Sequence, residues 1–583
     1  MITNVLLILS FIFPLTYLYL TYDPTEVSKL TLLAVFVPLL LFLASISIFK
    51  KRKIKKPANP FILTLLFMIS LFTVSGLFSS ADFISAVTTP ASVGSLWLFF
   101  LLFLVLAGTN NLTFRQKYLE LTLLGAVLVS LEVIFIYLGI LPRTVILPSG
   151  SLLASAIYIS VLSVYLLTLI ASNYKEMKHI ILYLIALILM ASAGLFLAFH
   201  LTTDQKALLL PHQTAVSILG KMTADPKEFL FGVGPGQYLT AFTRYKPAEI
   251  NYTPNWNVTF TSSSSFLLNL LTEGGILTGI FYLLLVALAI RNLRQNPPVA
   301  LSLLTLLFLL AFFPANMTLL YLAFVLMAFT LNTSDSSNQN TWNLPIFTVY
   351  LLPVLFLTML LLNGYLSVRN YLAEYYFKSS YDLLTEKNGA FIYNRQRNAV
   401  ILNPFTDKYH LALSRTSLAL ADSFGQIATQ SADNKQKVTK LAQQAIEEAR
   451  TAVSLNRQNA VSWDNLSKIY GSLKNFAIGS EDWAIEAAQQ KIKLDPANPN
   501  SYLTLGALYY SRDLNPEAED AFRRAVSLKK DLPSARYNLG LVLKNQGKND
   551  EAKREFEETL KLLPPNSPDQ PKVRQELENL REL

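Results

Sequence analysis

A few groups of residues in this chain could do chemistry. Glu132, in LVSLEVIFIY, places a carboxyl in the middle of an apolar run. An ionisable group at such a depth is costly, so it either serves a function or sits protonated and hydrogen-bonded between helices. The run Gly232-Val-Gly-Pro-Gly236 frees the backbone for unusual dihedrals, with Pro235 stiffening it. Its bare amides, at Gly234 and Gly236 above all, could approach an anion, or the run could be no more than a tight turn. The four histidines are His179, His200, His212 and His410, and there is no cysteine, which excludes disulfides, thiolate chemistry and Cys–zinc sites.

Membrane helices must position most of these groups. Of 583 residues, 52% are hydrophobic and 15% charged, against about 25% charged in an average soluble domain. Residues 1–371 hold 20 Lys+Arg and 12 Asp+Glu, and residues 372–583 hold 29 and 27. The first part is therefore lipid-like and the second water-like. Eleven stretches are apolar enough for a span of about 20 residues: 3–22, 28–49, 60–79, 92–108, 118–141, 152–172, 178–200, 264–290, 298–314, 317–331 and 345–367. The N-terminus lacks a basic segment and an A-x-A-like cleavage site, so it reads as a first span and not as a removed signal. The cluster KKRKIKK, from Lys50 to Lys56, predicts a cytoplasmic loop. Alternation then puts Arg115, Lys117, Lys175, Lys178, Arg291 and Arg294 inside as well. The basic excess is thus explained by topology, and no nucleic-acid partner is implied. The N-terminus falls inside, and the long loop 201–263 falls outside. An even count across 298–331 would reverse the side of everything after it.

Beyond about residue 372 the pattern becomes one of soluble amphipathic helices with an internal period. Gly506 and Gly540, Ala518 and Ala552, and Phe522 and Phe556 each stand 34 apart, and Pro564 closes the second unit. That is the tetratricopeptide period, with small and aromatic residues where paired helices meet. An earlier unit, Trp463 to Pro496, keeps Tyr470 and Ala484 in register with extra residues in its turn. AVSL at 452–455 recurs at 525–528, and Asn403-Pro404 with Tyr409 suggests one more, degenerate unit. Such arrays present a concave face to a protein or peptide partner. The expected fold is all-α: a polytopic bundle of about 11 spans over 1–371, followed by a soluble α-solenoid over 372–583.

The order of seven spans, a long outer loop carrying LFGVGPGQY, and a span opening SFLLNLLTEGGILTGIF resembles the O-antigen ligase/polymerase family of bacterial membrane glycosyltransferases. SGSLLASA at 149–156 is similar to that family's small-residue helix entry, and several members carry tetratricopeptide repeats after the last span. The resemblance covers about residues 90–330. It implies transfer of a glycan from a polyprenyl-pyrophosphate lipid to an acceptor on the outer face of the cytoplasmic membrane, with no metal or nucleotide cofactor. An anionic leaving group needs fixed cations; Arg244 and Lys246 in TRYKP, and then Arg143, are the candidates, with membrane-rim anchoring as the alternative. The acceptor hydroxyl needs a base. Family members carry a His-Asn pair nine and eight residues before the motif's Glu. Here that Glu is Glu273, and the pair falls on Ser264 and Ser265. His200 or His212 could stand in for the missing histidine, and Glu273 could be a base or could orient the loop. Asn255-Trp256-Asn257 with Phe260 offers a sugar an aromatic face beside amides, or it is part of an interfacial aromatic belt. The rival functions are a non-catalytic membrane-anchored repeat scaffold and a transporter of lipid-linked sugars.

Overall fold

A computed structural model describes residues 1–55, 59–79, 83–109, 111–142, 146–173, 180–203, 208–330, 341–382, 388–427, 432–474 and 478–581. Each apolar stretch becomes a helix, because inside an apolar surround a backbone must satisfy its own polar groups. Among the described residues, seven helices are long and apolar enough to cross a membrane: Glu26–Phe49, Phe61–Phe78, Leu112–Tyr137, Leu152–Ser172, Ile180–Thr202, Phe266–Arg294 and Ile346–Asp382. Four apolar helices are shorter: Ile2–Leu15, Val93–Ala107, Pro297–Phe312 and Met317–Phe329. The first of these stops well before the expected residue 22. Pro14 sits in its last turn, and Thr16 is extended, as a chain that cannot continue the helix must be. Between the last two, Phe313 is extended ahead of Pro314, and the Asn316 side chain accepts the Leu319 N–H to start the next helix.

Burial ranks these helices. Every residue of Met317–Phe329 is buried, and around it Phe13 stacks on Tyr321 with ring centroids 4.4 Å apart. The Tyr118 and Tyr321 hydroxyls share a hydrogen bond of 2.5 Å. At the other extreme, Ile346–Asp382 leaves Phe347, Leu351, Leu355, Leu361 and Leu362 exposed. The polar contacts sort by end. At one end Glu26 accepts the Met317 N–H (2.9 Å), Asn316 donates to the Ser149 carbonyl (2.7 Å), and Lys29 donates to the Pro148 carbonyl. At the opposite end Asn59 donates to the Met327 carbonyl (3.1 Å) and Asn296 to that of Phe329 (3.0 Å). There the segments Lys53–Lys55 and Thr341–Asn343 pair as two short antiparallel strands, a small exception to an otherwise helical chain.

Ile346–Asp382 runs 37 residues without a break, or ~55 Å at 1.5 Å per residue. The boundary expected at 371/372 therefore falls inside a continuous helix. Its last turns pack Ala373 and Phe377 against Ala399, Tyr409 and Ala412. Helix pairs follow. Asp407–Ile427 lies against Ala432–Leu455, then come Ala460–Ser472 with Ser480–Leu494, Pro499–Tyr510 with Asn515–Leu528, and Pro533–Asn545 with Asn549–Leu562, closed by Gln570–Arg581. The 34-residue spacing has a contact behind it. A Cβ on Gly506 would lie 2.6 Å from the Phe522 ring, and one on Gly540 would lie 2.6 Å from that of Phe556. Each glycine is thus the seat of the aromatic ring of its own hairpin.

His410, 5% exposed, joins the first long hairpin by hydrogen-bonding Glu448 and the Pro404 carbonyl. Burial alone would lower its pKa, but the bonds to Glu448 and Pro404 and the charges of Glu448 and Asp407 outweigh it, so the net shift is upward. A raised histidine pKa stabilises the fold below the unfolded value of about 6.5 and stops doing so above the folded one. The melting temperature of the repeats should therefore fall as the pH rises from 6 to 9, and His410→Gln should flatten that slope, as read by thermal denaturation of the full chain.

Candidate functional site

Within the expected 201–263 loop, residues 208–263 are built around a core of their own. His212–Met222, Pro226–Phe231, Tyr238–Tyr245 and a short 3-10 turn at Ala248–Tyr252 close over Ile218, Met222, Tyr238, Phe242, Ile250 and Phe260. Pro226–Phe231 starts where the Asp225 carboxylate accepts the Lys227 and Glu228 N–H groups, which suits the positive end of a helix.

The glycine run crosses another backbone. Gly232 and Gly275 adopt φ +74°, ψ −175° and φ +72°, ψ −178°, a region open essentially to glycine alone. A Cβ on Gly232 would lie 2.3 Å from the Glu273 carbonyl carbon, and one on Gly275 would lie 2.1 Å from the Leu230 oxygen. Across the crossing, the Val233 N–H donates to the Thr272 carbonyl and the Gly234 N–H to that of Glu273, both at 3.0 Å. The Glu273 carboxylate receives the N–H groups of Gly236 and Tyr238 and the Asn269 amide. These bonds tie Glu273 to the loop. The expected amides of Gly234 and Gly236 are engaged by its carbonyl and carboxylate.

Two residues beyond the crossing core answer the missing histidine. Ser264, 1% exposed, hydrogen-bonds His212 Nδ1 at 2.8 Å. Ser265 caps the following helix by accepting the Leu268 N–H. Of the two histidines proposed to stand in, His212 is the one brought to Ser264; His200 lies in the last turn of Ile180–Thr203. With its proton on Nε2, His212 presents Nδ1 as an acceptor for a hydroxyl proton, the arrangement that activates a hydroxyl.

Two of the three expected cations, Arg244 and Lys246, are paired. Arg244 Nη1 meets Glu228 Oε1 at 2.6 Å and its Nη2 donates to Gln458, while the Tyr245 hydroxyl donates to the other Glu228 oxygen at 2.6 Å. Lys246 Nζ lies 2.9 Å from Asp495 Oδ1, and both side chains are 6% exposed. Arg244 is paired within the loop by Glu228 and reaches the repeats through Gln458, whereas the partner of Lys246, Asp495, lies in the repeats. Trp256 is turned the same way, against Ala525, Leu532 and Ala535, with Lys529 Nζ 4.9 Å from its ring centre. Phe260 faces Phe242 inside the loop core, and Asn257 is exposed. The aromatic face expected at 255–260 is thus divided between two packing contacts. Glu132 is half-buried within charge range of Tyr17, and Arg143 lies outside the described residues. Among the described residues no group of three His, Asp or Glu side chains is arranged to hold a metal.

Sequence reasoning missed the partners on the repeats. Asp495 and Lys529 are the C-caps of Ser480–Leu494 and Asn515–Leu528, so they occupy one position in successive repeats, 34 apart. That spacing was the available signal. It also missed a cleft of about 860 Å³ between Glu26–Lys51, Val93–Ala107 and Ile346–Asp382, lined by Asp23, Trp97, Thr261, Asn363, Asn370 and Glu374 among others. The amide of Asn363 inside an apolar run was its signal.

Gly275→Ala should be strongly destabilising, by roughly 2 kcal/mol or more from backbone strain and overpacking. Gly194→Ala, in a helix with open space at the Cβ position, should be neutral or stabilising; melting temperatures of the two variants in detergent check this.

Residues 533–565 match the tetratricopeptide repeat family. Over 126 residues the chain is 29% identical to the cytochrome c-type biogenesis protein CycH of Rhizobium meliloti (strain 1021). That match takes in 21% of this chain and 32% of CycH, so the chain spans about a third of the relative's length. Solved structures it resembles include MamA (20% identity, 31% of this chain and 93% of that one, TM-score 0.26). Others are a thermophilic TPR protein of Thermus thermophilus (19%, 36% and 100%, TM-score 0.27) and YrrB, a TPR protein with an unusual peptide-binding site (12%, 36% and 92%, TM-score 0.27). The C-terminal part of this chain carries a tetratricopeptide repeat.

Proposed function

We propose that this is a membrane-anchored tetratricopeptide-repeat protein whose repeats hold a protein or peptide partner at the outer face of a bacterial cytoplasmic membrane. The observation that carries this is the repeat at 533–565, joined to the apolar bundle through the unbroken Ile346–Asp382 helix. Eleven spans with the N-terminus inside fit the way polar contacts divide between the two bundle ends, with KKRKIKK at the end opposite the repeats. The four short helices each contribute buried residues to the bundle core. The chain has no cysteine, so single introduced cysteines report topology without background. In intact cells a membrane-impermeant maleimide should label Asn566→Cys and not Arg291→Cys; the opposite pattern would sink the orientation.

One contact favours a second function. The 2.8 Å bond between Ser264 and His212 supports it: an imidazole lies beside the position to which the resemblance assigns the family's histidine, which would suit glycan transfer from a lipid carrier. The 860 Å³ cleft, apolar along its helices and polar near Asp23, Asn370 and Glu374, would suit an amphiphile beside it. The two functions part on one experiment. In a strain lacking the gene, a copy carrying His212→Ala should restore the surface-glycan profile if the protein is a scaffold. Under the transferase function it should leave the profile as defective as the deletion.

A further inference from the structure

Residues of the loop meet the repeats in sequence order. Arg244 donates to Gln458, in the turn before Ala460–Ser472. Lys246 pairs with Asp495, the C-cap of Ser480–Leu494. Asn251 is fully buried. Its side-chain amide donates to the carbonyls of Ala497 (2.8 Å) and Leu528 (3.2 Å), and its own carbonyl accepts Lys529 Nζ (2.8 Å). Trp256 ends the series on Ala525, Leu532 and Ala535 under the Lys529 ammonium. Lys246, Asn251 and Trp256 stand five residues apart, and the turns they engage follow one another along the solenoid.

We infer that the segment from Arg244 to Trp256 is the resident ligand of the edge formed by these three inter-repeat turns, an intramolecular latch that holds the solenoid against the loop carrying Ser264 and His212. The edge reads this segment by chemistry. An acid at Asp495 takes a cation, two carbonyls take an amide, and a cation at Lys529 takes a carbonyl and an aromatic face. The inference rests on contacts alone, but it deepens the proposal of a partner-holding array. With the turn edge filled by the chain itself, a partner meets the concave face of the first helices of each pair. Loss of the latch in the test below would leave open whether that face binds a partner, so the two ideas fail separately.

Hydrogen exchange of the full chain in detergent tests the latch. Lys529→Ala removes the bond to the Asn251 carbonyl and the cation over Trp256. Amides 248–257 should then exchange roughly ten-fold faster or more, as expected for losing a hydrogen bond to a charged group, while Pro533–Asn545 and Asn549–Leu562 keep their protection. Asn251→Ala should give the same pattern from the other side. Unchanged exchange at 248–257 would overturn the latch, and so would faster exchange spread through the repeats. Protection that rises with protein concentration would put a second copy on the edge and overturn it as well.

Discussion

Between residues 230–234 and 272–275 two backbones pass with no side chain between them, and the placement of the loop depends on that crossing. Ladder-like hydrogen bonds from Val233 and Gly234 reach the carbonyls of Thr272 and Glu273, and Ser75 donates to the same Glu273 carbonyl from a third helix. The positive φ at Gly275 interrupts Phe266–Arg291. This break frees the carbonyls that the loop uses, an arrangement tolerated at membrane depth only where protein supplies the missing partners. The Glu273 carboxylate then fixes Gly236 and Tyr238. Tyr238 begins the helix that ends at Tyr245, so the crossing sets the direction in which Arg244 and Lys246 leave the loop.

Much of this organisation was legible in the sequence and some was not. Composition and span length marked the apolar helices, since burying or lipid-exposing a backbone demands that pattern. The 34-residue spacing marked the repeats, since Phe522 and Phe556 need a glycine to rest on. The glycine run at 232–236 was visible as a backbone feature, but its role was ambiguous: bare amides serve an anion or a carbonyl equally well, and only Gly275, forty residues on, decides between them. The charged residues of TRYKP were ambiguous for a related reason. A lysine facing solvent and a lysine facing Asp495 look alike until the chain folds back from almost 250 residues away.

Lys246 and Asp495 show what such a long-range pair costs and gives. Two charges, each 6% exposed, surrender hydration that their attraction must recover. The geometry is narrow, because Asp495 also accepts from Asn498 at 2.8 Å and Lys246 lies 5.4 Å from the Phe242 ring centre. A buried pair of this kind adds little net stability when its attraction only offsets the desolvation of both charges, but removing one partner would leave the other buried and unpaired. Here the pair joins Tyr238–Tyr245 to the repeat turn that faces it, and Trp256 supplies the apolar area.

The unbroken helix Ile346–Asp382 gives the solenoid a mast rather than a tether. Its first half leaves Phe347, Leu351, Leu355, Leu361 and Leu362 exposed and its last turns are packed into the first repeat helices, so in a bilayer a tilt of the first half would carry to the last turns. Tilt is how an apolar helix adjusts to a bilayer thinner than its own length. In a bilayer, a change of thickness would then reach the repeats as a rotation, with the contacts along 244–256 as the second bearing against which it acts.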